Sequence, residues 1–119
     1  MNSEQKYDLT FEESRTKSGI QFVMYVVRNN RRYRAGKISV YMDDEDRYLV
    51  ESSYLNEKYR GKGLGKKLYT YALESLGILK TNYFEASVLG QHVWRSLTKQ
   101  YKSRKHFFNG TLTLYNTLK

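Results

Sequence analysis

Residues 59–68 read Tyr-Arg-Gly-Lys-Gly-Leu-Gly-Lys-Lys-Leu, and they join a strand-like apolar run, 48–55, to a run with helical spacing, 64–76. The first turn of a helix carries unpaired backbone N–H groups and the positive end of the helix dipole. Glycine lets that backbone approach a ligand closely. The strand, the glycine-rich turn and the helix start therefore predict an anion site, and a phosphate-bearing ligand is its natural partner.

Two well-known phosphate loops do not fit this segment. The P-loop needs four residues between its first glycine and its Gly-Lys, and only three separate Gly61 from Gly65. Lys67 also stands where that motif has Ser or Thr. The dinucleotide fingerprint needs glycine at its sixth position, which is Lys66 when counted from Gly61.

A third signature, Gln/Arg-x-x-Gly-x-Gly/Ala, matches at every position through Arg60, Gly63 and Gly65. The segment resembles the acyl-CoA loop of the GCN5-related N-acetyltransferases, the GNAT superfamily, and the resemblance extends from about Arg34 to about Phe108. It implies an α+β (α/β) fold: a mixed, mainly antiparallel twisted sheet of about six to seven strands with two main helices. It also implies one domain over residues 1–119, with acetyl-CoA as cosubstrate and no metal.

Composition is consistent with that resemblance. The chain has 119 residues, enough for one domain, and its formal net charge is +9, which favours polyanionic partners such as CoA, nucleic acid or acidic protein surfaces. The absence of cysteine excludes disulfides and thiolate zinc sites. Neither end resembles a secretory signal and no apolar run reaches the length of a membrane span, so we expect a cytoplasmic protein.

Periodicity predicts four strands, a helix, a strand, a helix and a hairpin. The predicted ranges are strands Lys6–Ser14, Ile20–Arg28, Tyr33–Met42 and Arg47–Leu55, helix Leu64–Leu76, strand Tyr83–Leu89, helix Gln91–Tyr101 and hairpin His106–Tyr115 with an Asn109-Gly110 turn. One departure from GNAT order stands out, because the family usually places one or two helices between its first two strands. Only residues 14–19 separate them here, which leaves the acceptor side open.

The resemblance assigns the cosubstrate to the fourth strand and the loop. Backbone N–H groups of the loop bind the CoA pyrophosphate, and the fourth strand, bulged and splayed from the fifth, pairs with the pantetheine arm. The implied cofactor-binding residues are Ser53, Leu55, Arg60, Gly61, Lys62, Gly63, Leu64, Gly65 and Lys66.

Acyl transfer to an amine needs a base for the amine proton. Many GNAT enzymes use a carboxylate on the fourth strand, and Glu51 is the only carboxylate within that predicted strand. It shares strand alternation with Leu49, Ser53 and Leu55, which points it towards the cleft. Glu85 on the predicted fifth strand is a weaker candidate, and the alternative is that Glu51 is an ordinary solvent-facing residue.

The family often protonates the leaving thiolate with a tyrosine on the helix after the fifth strand, and the matching position here is Trp94. An indole N–H donates a hydrogen bond but is not a useful acid. Tyr101, or His92, is the candidate substitute. In the alternative, Trp94 and Tyr101 are core aromatics and water supplies the proton.

Two functions follow from the sequence. The first is an N-acetyltransferase that acts on an amine. The open acceptor side and the basic charge predict that this amine belongs to a macromolecule that is acidic around its contact site. The second is a GNAT-fold module of little or no activity that binds a macromolecular partner. The 12 tyrosines and the basic charge leave nucleic acid open as a partner, although no recognised nucleic-acid motif is present.

Overall fold

The computed structural model describes residues 7–83, 86–106 and 110–119. Its elements follow the predicted order of four strands, helix, strand, helix and hairpin. They are β1 Asp8–Arg15, β2 Gly19–Arg28, β3 Arg31–Met42, β4 Tyr48–Leu55, α1 Leu64–Leu76, β5 Ile78–Asn82, α2 Val88–Gln100, β6 Tyr101–His106 and β7 Thr111–Leu118. Within the described ranges, neither helix is long and apolar enough to cross a membrane.

Strands β1 to β4 form an antiparallel meander with tight turns. Asn29 and Asn30 both have positive φ, 50° and 64°, which is the geometry of the two-residue turn that suits strand twist. Between β1 and β2 the Thr16 N–H donates to the Gly19 carbonyl at 2.8 Å. The predicted lack of helices between these strands is therefore confirmed.

The strand order is β1-β2-β3-β4-β5-β7-β6, a mixed sheet of 7 strands. All neighbouring pairs are antiparallel except β4 and β5, which run parallel and share a single residue pair, Leu49 with Lys80. Beyond Leu49, the described part of β4 has no strand partner on this side. The sheet is therefore split between β4 and β5.

Both helices pack on one face of the sheet. The ring of Tyr71 on α1 stacks on Phe11 of β1 with centroids 4.2 Å apart, and Trp94 of α2 meets Tyr69 of α1 edge-to-face at 5.5 Å. The core lies between the helices and this face. Its largest fully buried side chains are Trp94, Phe22, Met24, Ile38, Leu64, Leu68, Leu73, Leu79, Leu97, Leu114, Val26 and Val40.

The prediction of the fifth strand at Tyr83–Leu89 is wrong, because β5 is Ile78–Asn82. Gly77, with φ 83°, ends α1 and lets the chain turn directly into this strand. The strand is hard to detect because its polar residues Lys80 and Thr81 are buried. Phe84 and Glu85 lie outside the described residues.

The second predicted helix begins too late. Ser87 is the N-cap of α2, its hydroxyl accepting the Gly90 N–H at 3.0 Å, so the helix starts at Val88 rather than at Gln91. It ends at Gln100, and β6 begins at Tyr101, which was predicted to be the last residue of the helix. A C-terminal hairpin is present as β6 and β7, but its first strand begins at Tyr101 rather than at His106, and β7 extends to Leu118. Asn109 of the predicted turn falls outside the described residues.

Candidate active site

The split between β4 and β5 opens into two cavities that meet. The larger, about 260 Å³, has a polar wall formed by Val50, Glu51, Ser52, Ser53, Tyr69, Thr81, Asn82, Ala86, Ser87 and Gly90. The smaller, about 30 Å³, has an apolar wall that includes Leu55, Leu68 and Val93. The residues that line both are Ser53, Tyr69, Ser87 and Gly90. A ligand can thus run from an apolar channel into a polar chamber.

A bulge in β4 accompanies the split. Ser52 pairs with Ser39 and Val50 with Val40, so Glu51 has no opposite residue on β3. An extra residue of this kind bends its strand and increases the local twist. The predicted bulge of the fourth strand is present, and Glu51 occupies it.

The bulge also corrects the predicted alternation of β4. Leu49 lies opposite Tyr41, whereas Ser53 lies opposite Ile38 in the core, so Leu49 is on the other face of the sheet from Ser53 and Leu55. Glu51 is exposed and lines the larger cavity, as expected, but through the bulge rather than through regular alternation.

An ion pair fastens the closed end of the cleft. Lys80 Nζ donates to Asp43 Oδ2 at 2.6 Å, next to the one residue pair that joins β4 and β5. Burial by itself would raise the pKa of Asp43, but the bond from Lys80 and the N–H groups of Arg47 and Glu45 outweigh it and hold that pKa below its ordinary value. Asp43 therefore stays ionised and holds β5 against the β3–β4 turn.

The glycine-rich loop is fastened at its base. The Asn56 N–H donates to the Ala35 carbonyl at 2.7 Å, and Arg60 Nε donates to the Leu55 carbonyl at 2.9 Å. Between them, the buried ring of Tyr59 anchors the short 3₁₀ helix Glu57–Tyr59. Arg60 thus holds the loop against the end of β4, in addition to carrying positive charge.

The tip of the loop offers free donors. Gly61 and Gly63 have φ of 75° and 76°, the left-handed region that glycine adopts without strain. The Lys67 N–H donates to the Gly63 carbonyl, so the N–H groups of residues 64–66 are the unpaired donors of the first turn of α1. A Cβ at Gly61 or Gly63 would meet no described atom within 4 Å, so the loop is open to an approaching ligand. This loop fits a diphosphate.

The structure brings the predicted cofactor-binding residues together. Ser53, Leu55 and Gly65 line the cleft, and the remaining ones form the loop at its end. Of the two carboxylate candidates, Glu51 is at the cleft, and Glu85 lies outside the described residues.

Tyr69, which the sequence analysis does not single out, lies where the two cavities meet. Its hydroxyl and that of Ser53 share a hydrogen bond. Burial raises the pKa of Tyr69, and the bond with Ser53 only partly opposes this effect. One sequence signal could have identified Tyr69: it is a tyrosine in the apolar stripe of the helix that follows the loop. A buried phenol needs a polar partner, so a tyrosine at such a position indicates a polar group nearby.

The structure does not bring Tyr101 to the cleft. Its buried ring lies beyond the end of α2, its hydroxyl donates to Glu74 at 3.5 Å, and it lines neither cavity. Burial, and then the nearby Glu74 carboxylate, raise the pKa of Tyr101. Trp94 is fully buried in the core, and His92 is exposed. Across the described ranges no three His, Asp or Glu residues are placed to hold a metal ion.

A mixed sheet split between two parallel strands, with a phosphate loop at the end of the first, defines the acyl-CoA N-acyltransferase fold. The profile of the Acetyltransferase (GNAT) family matches residues 2–86. This chain belongs to the GNAT acetyltransferase family, and both family and fold point to acyl transfer from acetyl-CoA. No curated protein matches it in sequence.

Solved structures show the same fold at low identity. The ribosomal-protein-S18-alanine N-acetyltransferase of Escherichia coli superposes with a TM-score of 0.56 at 12% identity, over 88% of this chain and 74% of that one. A domain from Methanocaldococcus jannaschii gives 0.54 at 13% identity, over 83% and 66% of the two chains. A Bacillus anthracis protein assigned as a streptothricin acetyltransferase, in complex with acetyl coenzyme A, gives 0.51 at 14% identity, over 84% and 61%. This chain is thus shorter than each of them.

Proposed function

We propose that this protein is an acetyl-CoA-dependent N-acetyltransferase that moves the acetyl group directly from the thioester to an amine of a macromolecular acceptor. One observation carries the proposal: a single cleft leads from a loop built for a diphosphate to a chamber that holds a carboxylate. The loop, the apolar channel and the chamber are consecutive along β4 and α1.

Binding of the cosubstrate is assigned to the loop and the channel. The free N–H groups of residues 64–66, together with Lys62 and Lys66, meet the diphosphate. The free edge of β4 offers backbone groups to the amide-bearing arm, as an added strand would use them. Leu55, Leu68 and Val93 exclude water from the channel between them.

Glu51 is assigned as the base. An amine attacks a thioester only when it is neutral, so its proton must first pass to an acceptor in the chamber. Glu51 is the one carboxylate among the described residues of that wall, and it accepts the proton directly or through water.

Tyr69 is assigned as the acid. As the new C–N bond forms and the C–S bond breaks, the sulfur keeps the bonding electron pair and takes the phenolic proton of Tyr69. The proton removed from the amine restores the phenol through solvent. A tyrosine phenol carries its proton at neutral pH, and burial raises the pKa of Tyr69 further.

A macromolecular acceptor is supported by the bare β1–β2 turn. Small-molecule pockets bury most of their ligand, and a chain without helices between β1 and β2 has less material to enclose one. An open acceptor side gains affinity from a wide contact instead. The net charge of +9 then favours a partner that is acidic around the acceptor amine and makes association sensitive to salt.

The test is transfer of radiolabelled acetyl from acetyl-CoA, comparing extract proteins with a panel of small amines at low and high salt. We expect labelled protein, more at low salt, and less label with Glu51→Gln than with the parent. Efficient, salt-insensitive acetylation of one small amine would overturn the macromolecular acceptor. Binding of acetyl-CoA without transfer to any acceptor would favour the alternative, a binding module without activity.

A further inference from the structure

The sheet has a second face, which carries no helix within the described residues and which we call the open face. Register places on it Tyr25 of β2, Arg32, Arg34 and Lys37 of β3, and Tyr54 of β4. Their paired neighbours along the strands lie on the helix-bearing face instead. A bare sheet face ordinarily carries polar residues, and this one interleaves tyrosines with cations.

These side chains form a row across three strands. The Arg32 guanidinium lies 4.3 Å from the centroid of the Tyr25 ring, and that of Arg34 lies 6.0 Å from the centroid of Tyr54. Tyr25 and Arg34 are directly opposite each other, so the row alternates ring and guanidinium. Such contacts hold the guanidinium groups over the rings.

Part of this charge is uncompensated. Glu12 of β1 pairs with Arg32 and accepts a hydrogen bond from Tyr25. Across the described ranges, no carboxylate pairs with Arg34 or Lys37. Tyr54 beside them is 45% exposed as a residue, so both a stacking side chain and free cations face solvent.

We propose that the open face binds single-stranded nucleic acid, on the face of the sheet opposite the helices. Tyr54 also borders the smaller cavity of the acetyl-transfer cleft. Each nucleotide supplies a flat base, which can stack on Tyr54, and a phosphate, which can pair with Arg34 or Lys37. An acidic protein supplies the charge but not a regular succession of planar groups.

The test is fluorescence anisotropy of a short labelled oligouridine with the purified chain. Tyr54→Thr removes the ring and keeps a strand-forming residue, and Arg34→Gln removes the charge and keeps most of the stem. We expect each to raise the Kd about tenfold, within the range for loss of one stacked base or one phosphate contact. Tyr54→Phe keeps the ring and should bind as the parent does.

Two matched controls fix the location. Tyr33 is 42% exposed, a fraction similar to the 45% of Tyr54. It lies opposite Val26 on the helix-bearing face, so Tyr33→Thr should leave the Kd unchanged. Arg95→Gln removes an exposed cation from α2 and should do the same. Circular dichroism checks that every variant is folded.

Three outcomes would overturn the proposal. They are no saturable binding of the oligonucleotide, equal losses in Tyr54→Thr and Tyr33→Thr, and a Tyr54→Thr variant that binds like the parent. Displacement by polyglutamate as effective as displacement by unlabelled oligonucleotide would assign the face to an acidic protein instead. Because the readout uses no acetyl-CoA, failure here is independent of the proposed acetyl transfer.

Discussion

The two edges of β4 behave differently. Towards β3 the strand forms seven residue pairs, and towards β5 it forms one. Unpaired backbone groups on a strand edge invite another chain to pair with them, so proteins normally cover or shorten such edges. Here the free edge lies within the sheet, where the bulge at Glu51 and the apolar walls shape a channel beside it. The difference supports the proposal that the free edge of β4 binds the arm of the cosubstrate.

Among substitutions along the free edge of β4, we expect the largest loss of activity at Glu51, the residue at which this edge bends. Glu51→Gln keeps the shape and removes the base, so turnover should fall about ten- to a thousandfold while the affinity for acetyl-CoA stays nearly unchanged. The limb of the pH–rate profile that belongs to the base should disappear.

Glu13→Gln on β1 is the matched control, since Glu13 is an exposed carboxylate far from the cleft in the sheet order, and it should leave turnover unchanged. A Glu51→Gln enzyme that turns over like the parent would place the base elsewhere.

A smaller effect is expected from Tyr69, because a thiolate is a good leaving group and needs less assistance. Tyr69→Phe should lower kcat about ten- to a hundredfold, at the weak end of acid catalysis, with little change in KM. Tyr101→Phe removes a buried phenol outside the cleft and should leave kcat unchanged.

Steady-state kinetics on both variants distinguishes the two tyrosines. A fall in kcat for Tyr101→Phe but not for Tyr69→Phe would restore the assignment made from the sequence. Ser53→Ala, which removes the hydrogen-bond partner of Tyr69 and keeps the phenol, should have an effect smaller than Tyr69→Phe.

At the closed end of the cleft, where Asp43 pairs with Lys80, we expect an effect on stability rather than on turnover. Asp43→Asn keeps an oxygen for the N–H groups of Glu45 and Arg47 but removes the charge facing the buried ammonium group of Lys80. The free energy of unfolding at neutral pH should fall about 1.5–3 kcal/mol, the range for a hydrogen bond to a charged group. Asp44→Asn, at an exposed neighbour, should have no effect.

The difference in stability between the parent and Asp43→Asn should depend on pH, because the pKa of Asp43 is lowered in the folded protein. A carboxyl with a lowered folded-state pKa contributes stability above its unfolded pKa, about 3.9, and loses it as the pH falls through the folded value. Denaturant melts should therefore show the parent and Asp43→Asn converging below about pH 4. A difference that persists unchanged in acid would contradict the role of the ion pair.

Local patterns were enough to predict much of the fold. Apolar alternation and polar turns predicted the meander, and helical spacing after a glycine-rich loop predicted α1 with its anion site. These signals are local, since each depends on residues close together in sequence. The match at Arg60, Gly63 and Gly65 added the family and the split sheet.

Features that depend on distant contacts were missed. β5 was misplaced because Lys80 is buried by a partner, Asp43, that lies far away in sequence. The position of the bulge at Glu51 depends on register with β3, and the place of Tyr69 depends on Ser53 across the cleft. None of these contacts leaves a periodic signal along the chain.

The most direct test of the central claim is an acetyl-CoA binding isotherm of the parent, Gly63→Asp and Gly63→Asn by titration calorimetry. Asp and Asn both tolerate the left-handed backbone at this position, so the pair separates charge from strain. We expect saturable binding by the parent, modest weakening in Gly63→Asn, and a loss of about a hundredfold or more in Gly63→Asp, where the carboxylate repels the diphosphate. Absence of binding by the parent, or equal affinities for the parent and Gly63→Asp, would contradict the account.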